Sequence, residues 1–217
     1  MMNRMISRMT NRRALIGTLF GGAATLALAA FAPAALAQSV PQQVADHFSS
    51  VKTMTGEFVQ FGPRGEQTGG KFFLERPGKI RFDYDEPSPV QVKADGKAVV
   101  IHNRKLGTYD MYPLGQTPLN LLLADRIDLG GSRIQEVKQE AELLTIKMGD
   151  KSVFGDSTIT MMFDPVTYDL RQWTITDKQG KDTSVILIGV QEGVRFEDRM
   201  FRIPYREIRA KRRGEDN

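Results

Sequence analysis

The sequence predicts a mainly β protein built on an antiparallel sheet or barrel of about ten or eleven strands. Apolar and polar residues alternate with a period of two along many short segments, which is typical of strands buried on one face. Turn signals such as "ADGK" and "DKQG" separate these segments at regular spacing. Short strands in such a series indicate antiparallel neighbours.

The clearest strand signal is the hairpin "TGGKFFLERPGKIRFDYD", residues 68–85. Pro77 and Gly78 supply the centre of its turn, because proline presets φ and glycine allows a positive φ. The side chains that share one face are Gly70, Phe72, Leu74 and Arg76 in the first arm and Ile80, Phe82 and Tyr84 in the second. The alternation therefore places an arginine on an apolar face, beside the turn.

Further strands are predicted on either side of this hairpin. They cover about 54–61, 89–95, 98–103, 108–113, 132–139, 142–148, 157–163, 169–176, 183–190 and 199–203.

Two stretches have helical spacing instead. Residues 41–52 form a predicted opening helix with Val44, Phe48 and Val51 on one side. Residues 117–127, "TPLNLLLADRI", form a predicted mid-chain helix in which Thr117 suits the N-cap and Pro118 the first helical position. The apolar side chains of this second helix are Leu119, Leu122, Leu123 and Ile127.

Residues 1–37 have the pattern of an export signal. Arginines precede the apolar stretch 14–35, and "ALA" at 35–37 provides small residues for cleavage before Gln38. We expect one domain over 38–217, and an uncleaved membrane anchor is the less favoured alternative. Arg12 and Arg13 match a twin-arginine signal only in part, so the export route stays open.

The charge balance changes once this segment is set aside. The signal contains four of the 30 basic residues and none of the 26 acidic ones, so the rest of the chain is balanced. A surplus of positive charge remains in the tail 205–217, which is either a solvated, flexible end or a docking patch for an acidic partner. Residues 38–201 are slightly acidic, which argues against nucleic-acid binding. The chain has no cysteine for a disulfide or a lipid anchor.

The interior of such a sheet needs filling. A barrel of ten or eleven strands encloses more space than its own side chains can fill, since side chains just fill the interior of a barrel of about eight strands. The mid-chain helix is expected to cover the opening. The stripe that would line an apolar pocket beneath it comprises Phe58, Phe72, Leu74, Ile80, Phe82 and Tyr84. An ordinary packed core of the same residues is the alternative.

Catalytic and metal-binding patterns are poor. His47 and His102 each lack a second ligand at metal spacing, and no serine lies in a G-x-S-x-G elbow. The paired glycines at 69–70 and 130–131 lack the lysine of a phosphate loop. We predict no catalytic residues, no metal and no cofactor, and hence no enzyme.

Several motifs together resemble one family. They are "FVQ" (58–60), "TGGKFFLERPGKIRFDY" (68–84), "VKADGKAVVIHN" (92–103), "TPLNLLLA" (117–124), D-x-x-G-x-x-T (177–183) and "FRIP" (201–204). In this order they are similar to the outer-membrane lipoprotein carrier protein, the LolA family. The resemblance implies an unclosed antiparallel barrel capped by short helices.

The resemblance also implies a function. The family's cavity takes the acyl chains of lipoproteins that an inner-membrane ABC transporter releases, and the cargo then passes to an outer-membrane lipoprotein receptor. That receptor has a similar fold but needs a cysteine after its signal, so this chain resembles the soluble periplasmic carrier, which we expect to be monomeric. The arginine that matches Arg76 is understood to bond the lid helix, on which Leu119, Leu122 and Leu123 lie, and to hold the empty cavity shut.

Two other classes stay open at this point. A periplasmic carrier or sensor of another lipid or glycolipid would share the pocket but bind different cargo. An enzyme acting on lipids would need catalytic groups that the patterns do not supply.

Overall fold

The computed structural model describes residues 39–127, 133–149 and 156–214, which form a sheet with short helices. Among these residues, no helix has both the length and the apolar composition needed to cross a membrane. The strands are β1 (Thr53–Phe61), β2 (Gln67–Glu75), β3 (Lys79–Tyr84), β4 (Val90–Asp95), β5 (Ala98–Asn103), β6 (Thr108–Pro113), β7 (Ile134–Gln139), β8 (Leu144–Gly149), β9 (Thr158–Phe163), β10 (Leu170–Thr176) and β11 (Asp182–Glu192).

The strands build a single antiparallel sheet with the order β6-β5-β4-β3-β2-β1-β11-β10-β9-β8-β7. Sequence neighbours pair throughout two meanders, β1 to β6 and β7 to β11. The meanders are joined where the first strand pairs with the last. Because β6 and β7 lie at opposite edges, the sheet is not closed, and the predicted unclosed barrel of about ten or eleven strands is confirmed, with 11 strands in the described residues.

The hairpin of β2 and β3 has the predicted register and face. Leu74 pairs with Ile80 and Phe72 with Phe82. Gly78 has φ +77°, a left-handed conformation that glycine adopts without strain. A Cβ at Gly78 would lie 2.5 Å from the Cα of Gly96, so the β2–β3 turn is pressed against the β4–β5 turn.

The opening helix α1 (Val40–Ser50) is confirmed close to its predicted bounds, with Pro41 in its first turn. Val44 and Phe48 are buried and belong to the main apolar cluster. The helix therefore lies with its apolar side against the interior of the sheet.

The mid-chain helix is shorter than predicted. A 3₁₀ turn (Leu114–Gln116) precedes α2 (Leu119–Leu123), and the chain is extended again from Ala124. Thr117 does not cap α2 and Pro118 is not its first residue, because the helix begins one residue later, at Leu119, with Pro118 at the N-cap. The hydroxyl of Thr117 donates to the carbonyl of Leu114. The helix ends early because Arg76 Nη2 and the amide of Gly78 donate to the carbonyls of Leu122 and Leu123, in place of later helical amides.

The predicted strand at 199–203 is wrong. Asp198–Phe201 is a 3₁₀ turn, and the alternating burial of Phe201 and Ile203 comes from packing outside the sheet rather than from a ladder. Ile203 packs with Ala98 and Val100 of β5 in a second apolar cluster. The basic tail continues as helix α3 (Tyr205–Arg213) and buries Ile208 in the same cluster.

The contact between the two turns gives a test of the fold. We expect Gly78→Ala to lower the free energy of unfolding by about 2 kcal/mol or more, because it adds a backbone clash to an unfavourable φ. Gly180→Ala is the matched control, since Gly180 has φ +75° but no atom within 4 Å of a Cβ. We expect the control to cost about 1 kcal/mol in urea unfolding. Equal losses would contradict the close approach of Gly78 to Gly96.

Candidate functional site

The structure brings the predicted stripe together in the interior. Phe58, Phe72, Leu74, Ile80 and Phe82 are each at most 6% exposed, and Tyr84 is half-buried against them. The rings of Phe58 and Phe82 meet edge-to-face at 5.0 Å, and those of Phe58 and Tyr84 do the same. The stripe is therefore packed on itself in the apolar interior of the sheet.

Tyr84 marks the polar border of this stripe. Its hydroxyl donates to Gln60 Oε1 at 2.7 Å. Burial raises the pKa of Tyr84 to about 12, so the hydroxyl stays neutral at physiological pH. A neutral phenol with its donor satisfied adds apolar surface to the interior without adding charge.

Strands β8 to β11 contribute as much of the interior as the hairpin does. The same period of two runs along β8 and β9, although only the stripe from β1 and the hairpin was predicted to line the interior. Trp173 of β10 joins the two halves, because its ring lies 6.1 Å from that of Phe82. The buried side chains of this half are Leu144, Ile146, Met148, Ile159, Met161, Phe163, Leu170, Trp173 and Val185.

The leucines of α2 cover this interior from one end. Leu122 and Leu123 are fully buried, and Leu119 is half-buried against the same cluster. Leu121 is buried as well and was missed, because the helical spacing selected Leu119, Leu122 and Leu123. Phe48 of α1 meets Phe163 edge-to-face at 5.5 Å, so both helices pack on the interior.

Arg76 is buried where the two helices end. Its side chain donates through Nη1 to the carbonyl of Val51, the residue that caps α1, and through Nη2 to the carbonyl of Leu122 in α2 at 3.2 Å. Carbonyls at the carboxyl end of a helix lack partners and carry partial negative charge, so they favour a cation. One guanidinium thus bonds the ends of both covering helices.

Among the described residues, no carboxylate forms an ion pair with Arg76. The side chain is 5% exposed, and its guanidinium carbon lies 4.0 Å from the ring centroid of Phe48. Burial lowers the pKa of Arg76 to about 10, although the negative charges of Glu192 and Asp125 act to raise it. Because about 10 is well above physiological pH, the group remains a cation. Its buried Nε has no hydrogen-bond partner within the described part of the chain.

Other bonds join the same two helix ends. Lys52 Nζ lies 2.8 Å from Asp125 Oδ1, and the amide of Ile127 donates to Ser49 Oγ at 2.9 Å. The amide of Gly78 donates to the carbonyl of Leu123 at 2.8 Å. These contacts tie α1, the β2–β3 turn and α2 together around Arg76.

A cluster of possible ligands occurs beside the last turn of α1. His47 Nε2 lies 3.1 Å from Asp169 Oδ1, and one ligand atom each of His47, Asp169 and Glu192 lie within 4.8 Å of one another. The sequence could not suggest this group, because its members are far apart along the chain. Exposed groups of this kind also occur as simple ion pairs, so the absence of a metal site stays a prediction.

His102, the other histidine, lies on the outer side of the sheet. Its ring stacks on Tyr109 with 4.2 Å between centroids. Burial lowers the pKa of His102, so the ring is held towards its neutral form. An aromatic stack of this kind accounts for the residue structurally.

Together these elements define a class: an open antiparallel β protein whose apolar interior is covered by two helices. The chain belongs to the LolA family, since the family model for "Outer membrane lipoprotein carrier protein LolA" matches residues 49–204.

Individual relatives extend this match. The chain is 26% identical over 179 residues to an outer-membrane lipoprotein carrier protein of Methylococcus capsulatus, covering 77% of this chain and 85% of the relative. It is 24% identical over 201 residues to the protein of that name in Pseudomonas aeruginosa, covering 86% and 93%. A LolA superfamily protein of Nitrosomonas europaea superposes with a TM-score of 0.43 at 8% identity, covering 77% of this chain and 100% of that one.

The bonds of Arg76 give a second test. We expect Arg76→Lys to speed hydrogen exchange of the amides of 121–123 by about ten-fold, because a single ammonium does not reproduce the planar fork that spans two carbonyls. Arg81→Lys is the control, since Arg81 pairs with Asp83 on the outer side of the hairpin. Exchange that is unchanged in both variants would mean that Arg76 does not stabilise α2.

Proposed function

We propose that this protein is a soluble periplasmic chaperone that carries lipoproteins to the outer membrane with their acyl chains in the interior described above. The observation that carries the proposal is the apolar interior covered by two helices whose ends meet at one buried arginine. Family membership supports the lipoprotein as cargo. The export pattern of residues 1–37 supports the periplasm as the place of action.

Shielding is what a lipid-anchored protein needs in order to cross water. Each methylene removed from water contributes roughly 0.8 kcal/mol, so an anchor with dozens of methylenes stays in its membrane unless it is given another apolar environment. The interior offers such an environment when the covering helices move aside. Aliphatic and aromatic side chains suit acyl chains because contact with them needs no directional bond.

Opening must cost little for such a carrier to work. In the closed state the stripe buries its own apolar surface, and acyl chains would replace these contacts with similar ones. The two charge-assisted bonds of Arg76, with the neighbouring bonds between the same helix ends, are then lost on opening. Bonds of this kind contribute about 1.5 to 3 kcal/mol, which shifts an open–closed balance by ten-fold or more.

Arg76 is accordingly the proposed lid latch, with Leu119, Leu122 and Leu123 as the lid. Entering chains break its bonds to Val51 and Leu122, and the reforming bonds help to expel the cargo. Phe58, Phe72, Leu74, Ile80, Phe82 and Tyr84 are the proposed cavity residues.

Two partners complete the proposed cycle. An inner-membrane lipoprotein-releasing ABC transporter would supply the cargo and the energy of loading, and an outer-membrane lipoprotein receptor would accept the cargo by binding it more tightly. The carrier itself is proposed to act as a monomer without catalysis or cofactor. Mass spectrometry of material that copurifies from periplasm distinguishes lipoproteins from another lipid or glycolipid as the cargo.

Binding of an apolar fluorescent probe tests the cavity. We expect Leu74→Asp to abolish binding, because it places a charge where no partner compensates it. Lys71→Asp is the matched control, since the same carboxylate then lies on the exposed face of the same strand. Probe affinity that is unchanged in a folded Leu74→Asp variant would assign the stripe to an ordinary core.

Transfer from purified, loaded carrier to receptor-bearing membranes tests the latch. We expect Arg76→Leu to load lipoprotein but to release it at least about ten-fold more slowly, because the closed state has lost its charge-assisted bonds. Arg64→Leu serves as the control, since Arg64 lies in the exposed β1–β2 turn. Release by Arg76→Leu at the wild-type rate and extent would contradict the latch.

A further inference from the structure

The positive charge of the folded domain is concentrated in one place. Residues 202–217 contain six lysines and arginines against three acids, whereas residues 38–201 carry a slight acidic surplus. Within this segment, Tyr205–Arg213 form the amphipathic helix α3. Ile208 is buried, while Arg206, Arg209, Lys211, Arg212 and Arg213 are exposed.

Helix α3 lies on the outer side of the sheet, away from the covered interior. Val99 of β5 belongs to the interior cluster, whereas its neighbour Val100 packs with Ile203 and Ile208 in the outer cluster. Tyr205 donates to Asp95 at 2.8 Å near the start of α3, and Tyr109 donates to Glu207 at 2.7 Å. The orientation of the helix is therefore set by bonds at its first turn and by one buried isoleucine.

The end of α3 meets the turn between β5 and β6. Lys211 Nζ donates to the carbonyl of Gly107 at 3.2 Å. This turn adds two exposed cations, Arg104 and Lys105, and the side chain of Leu106, which is 69% exposed. A shallow groove of about 450 Å³ between turn and helix is lined by residues that include Leu106, Ile208 and Lys211.

We propose that this basic patch, formed by Arg104, Lys105, Leu106, Arg209, Lys211 and Arg212, binds the surface of an anionic phospholipid bilayer. The cations would contact lipid phosphates, and Leu106 would enter the boundary of the acyl chains. The exposed leucine favours a bilayer over an acidic protein, because an acidic surface offers no apolar environment to a side chain at the tip of a turn. The proposal does not rest on the cargo, since the patch lies outside the interior.

Binding by this patch is weak and reversible. A handful of cations and one leucine provide far less attraction than a lipid anchor, which itself binds only marginally as a single chain. Salt screens charges beyond about 8 Å at physiological ionic strength, so the attraction acts only close to the membrane. The patch would thus concentrate the protein at a membrane without holding it there.

Cosedimentation with vesicles tests the proposal on the protein from residue 38 onward. We expect binding to vesicles of phosphatidylcholine mixed with phosphatidylglycerol at low salt, loss of that binding in high salt, and little binding to phosphatidylcholine alone. Lys105→Glu combined with Arg209→Glu should weaken binding by at least about ten-fold, because two attractions become repulsions. Leu106→Ser should weaken it by about three-fold.

The matched control reverses two exposed lysines of another turn, Lys178→Glu with Lys181→Glu, and has the same net charge. It should bind as the wild type does, and both double variants should keep the wild-type melting temperature and apolar-probe affinity. If both double variants lost vesicle binding equally, net charge alone would explain the binding, and the proposed patch would be contradicted. Failure of the wild type to bind anionic vesicles, or binding of soluble polyglutamate instead, would overturn the bilayer as partner.

Discussion

The closed structure depends on one buried cation. Arg76 sits at 5% exposure on an apolar face, a position that would be unfavourable if the carboxyl ends of two helices did not point their carbonyls at it. The dependence is mutual, because those helices are short and their last carbonyls would otherwise be unpaired. Removing the guanidinium would take this donor from the carbonyls of both Val51 and Leu122, and removing either helix would leave one guanidinium nitrogen without its acceptor.

The open sheet makes this arrangement necessary. A sheet that ends in two edges cannot seal its own interior, so α1 and α2 supply the missing wall. Helix α2 is not stable by itself, since it comprises only Leu119–Leu123. The cover is therefore held by contacts with the sheet and by the group of bonds around Arg76, while the sheet itself is held by continuous ladders.

Local patterns predicted most of the fold because each strand buries one face. The same patterns failed where residues are buried by packing on the outer side of the sheet. Phe201 and Ile203 alternate as a strand would, yet Ile203 packs on the outer side of β5 and Phe201 packs against the ring of Phe196. The basic tail gave no apolar period beyond Ile208 from which α3 could be predicted. Within the site, the position of Arg76 followed from the alternation, but its bond to Val51 depends on the three-dimensional path of α1.

The seam between β1 and β11 sets an order for folding. Met54 pairs with Glu192, so residues near the two ends of the domain must meet before the sheet is continuous. The two meanders consist of contacts that are local in sequence, whereas the seam closes a long loop and carries the corresponding entropic cost. Until it forms, each half exposes the apolar face that the other half covers. A chain at that stage has two half-sheets with exposed apolar faces, which favour aggregation until the final strand is in place.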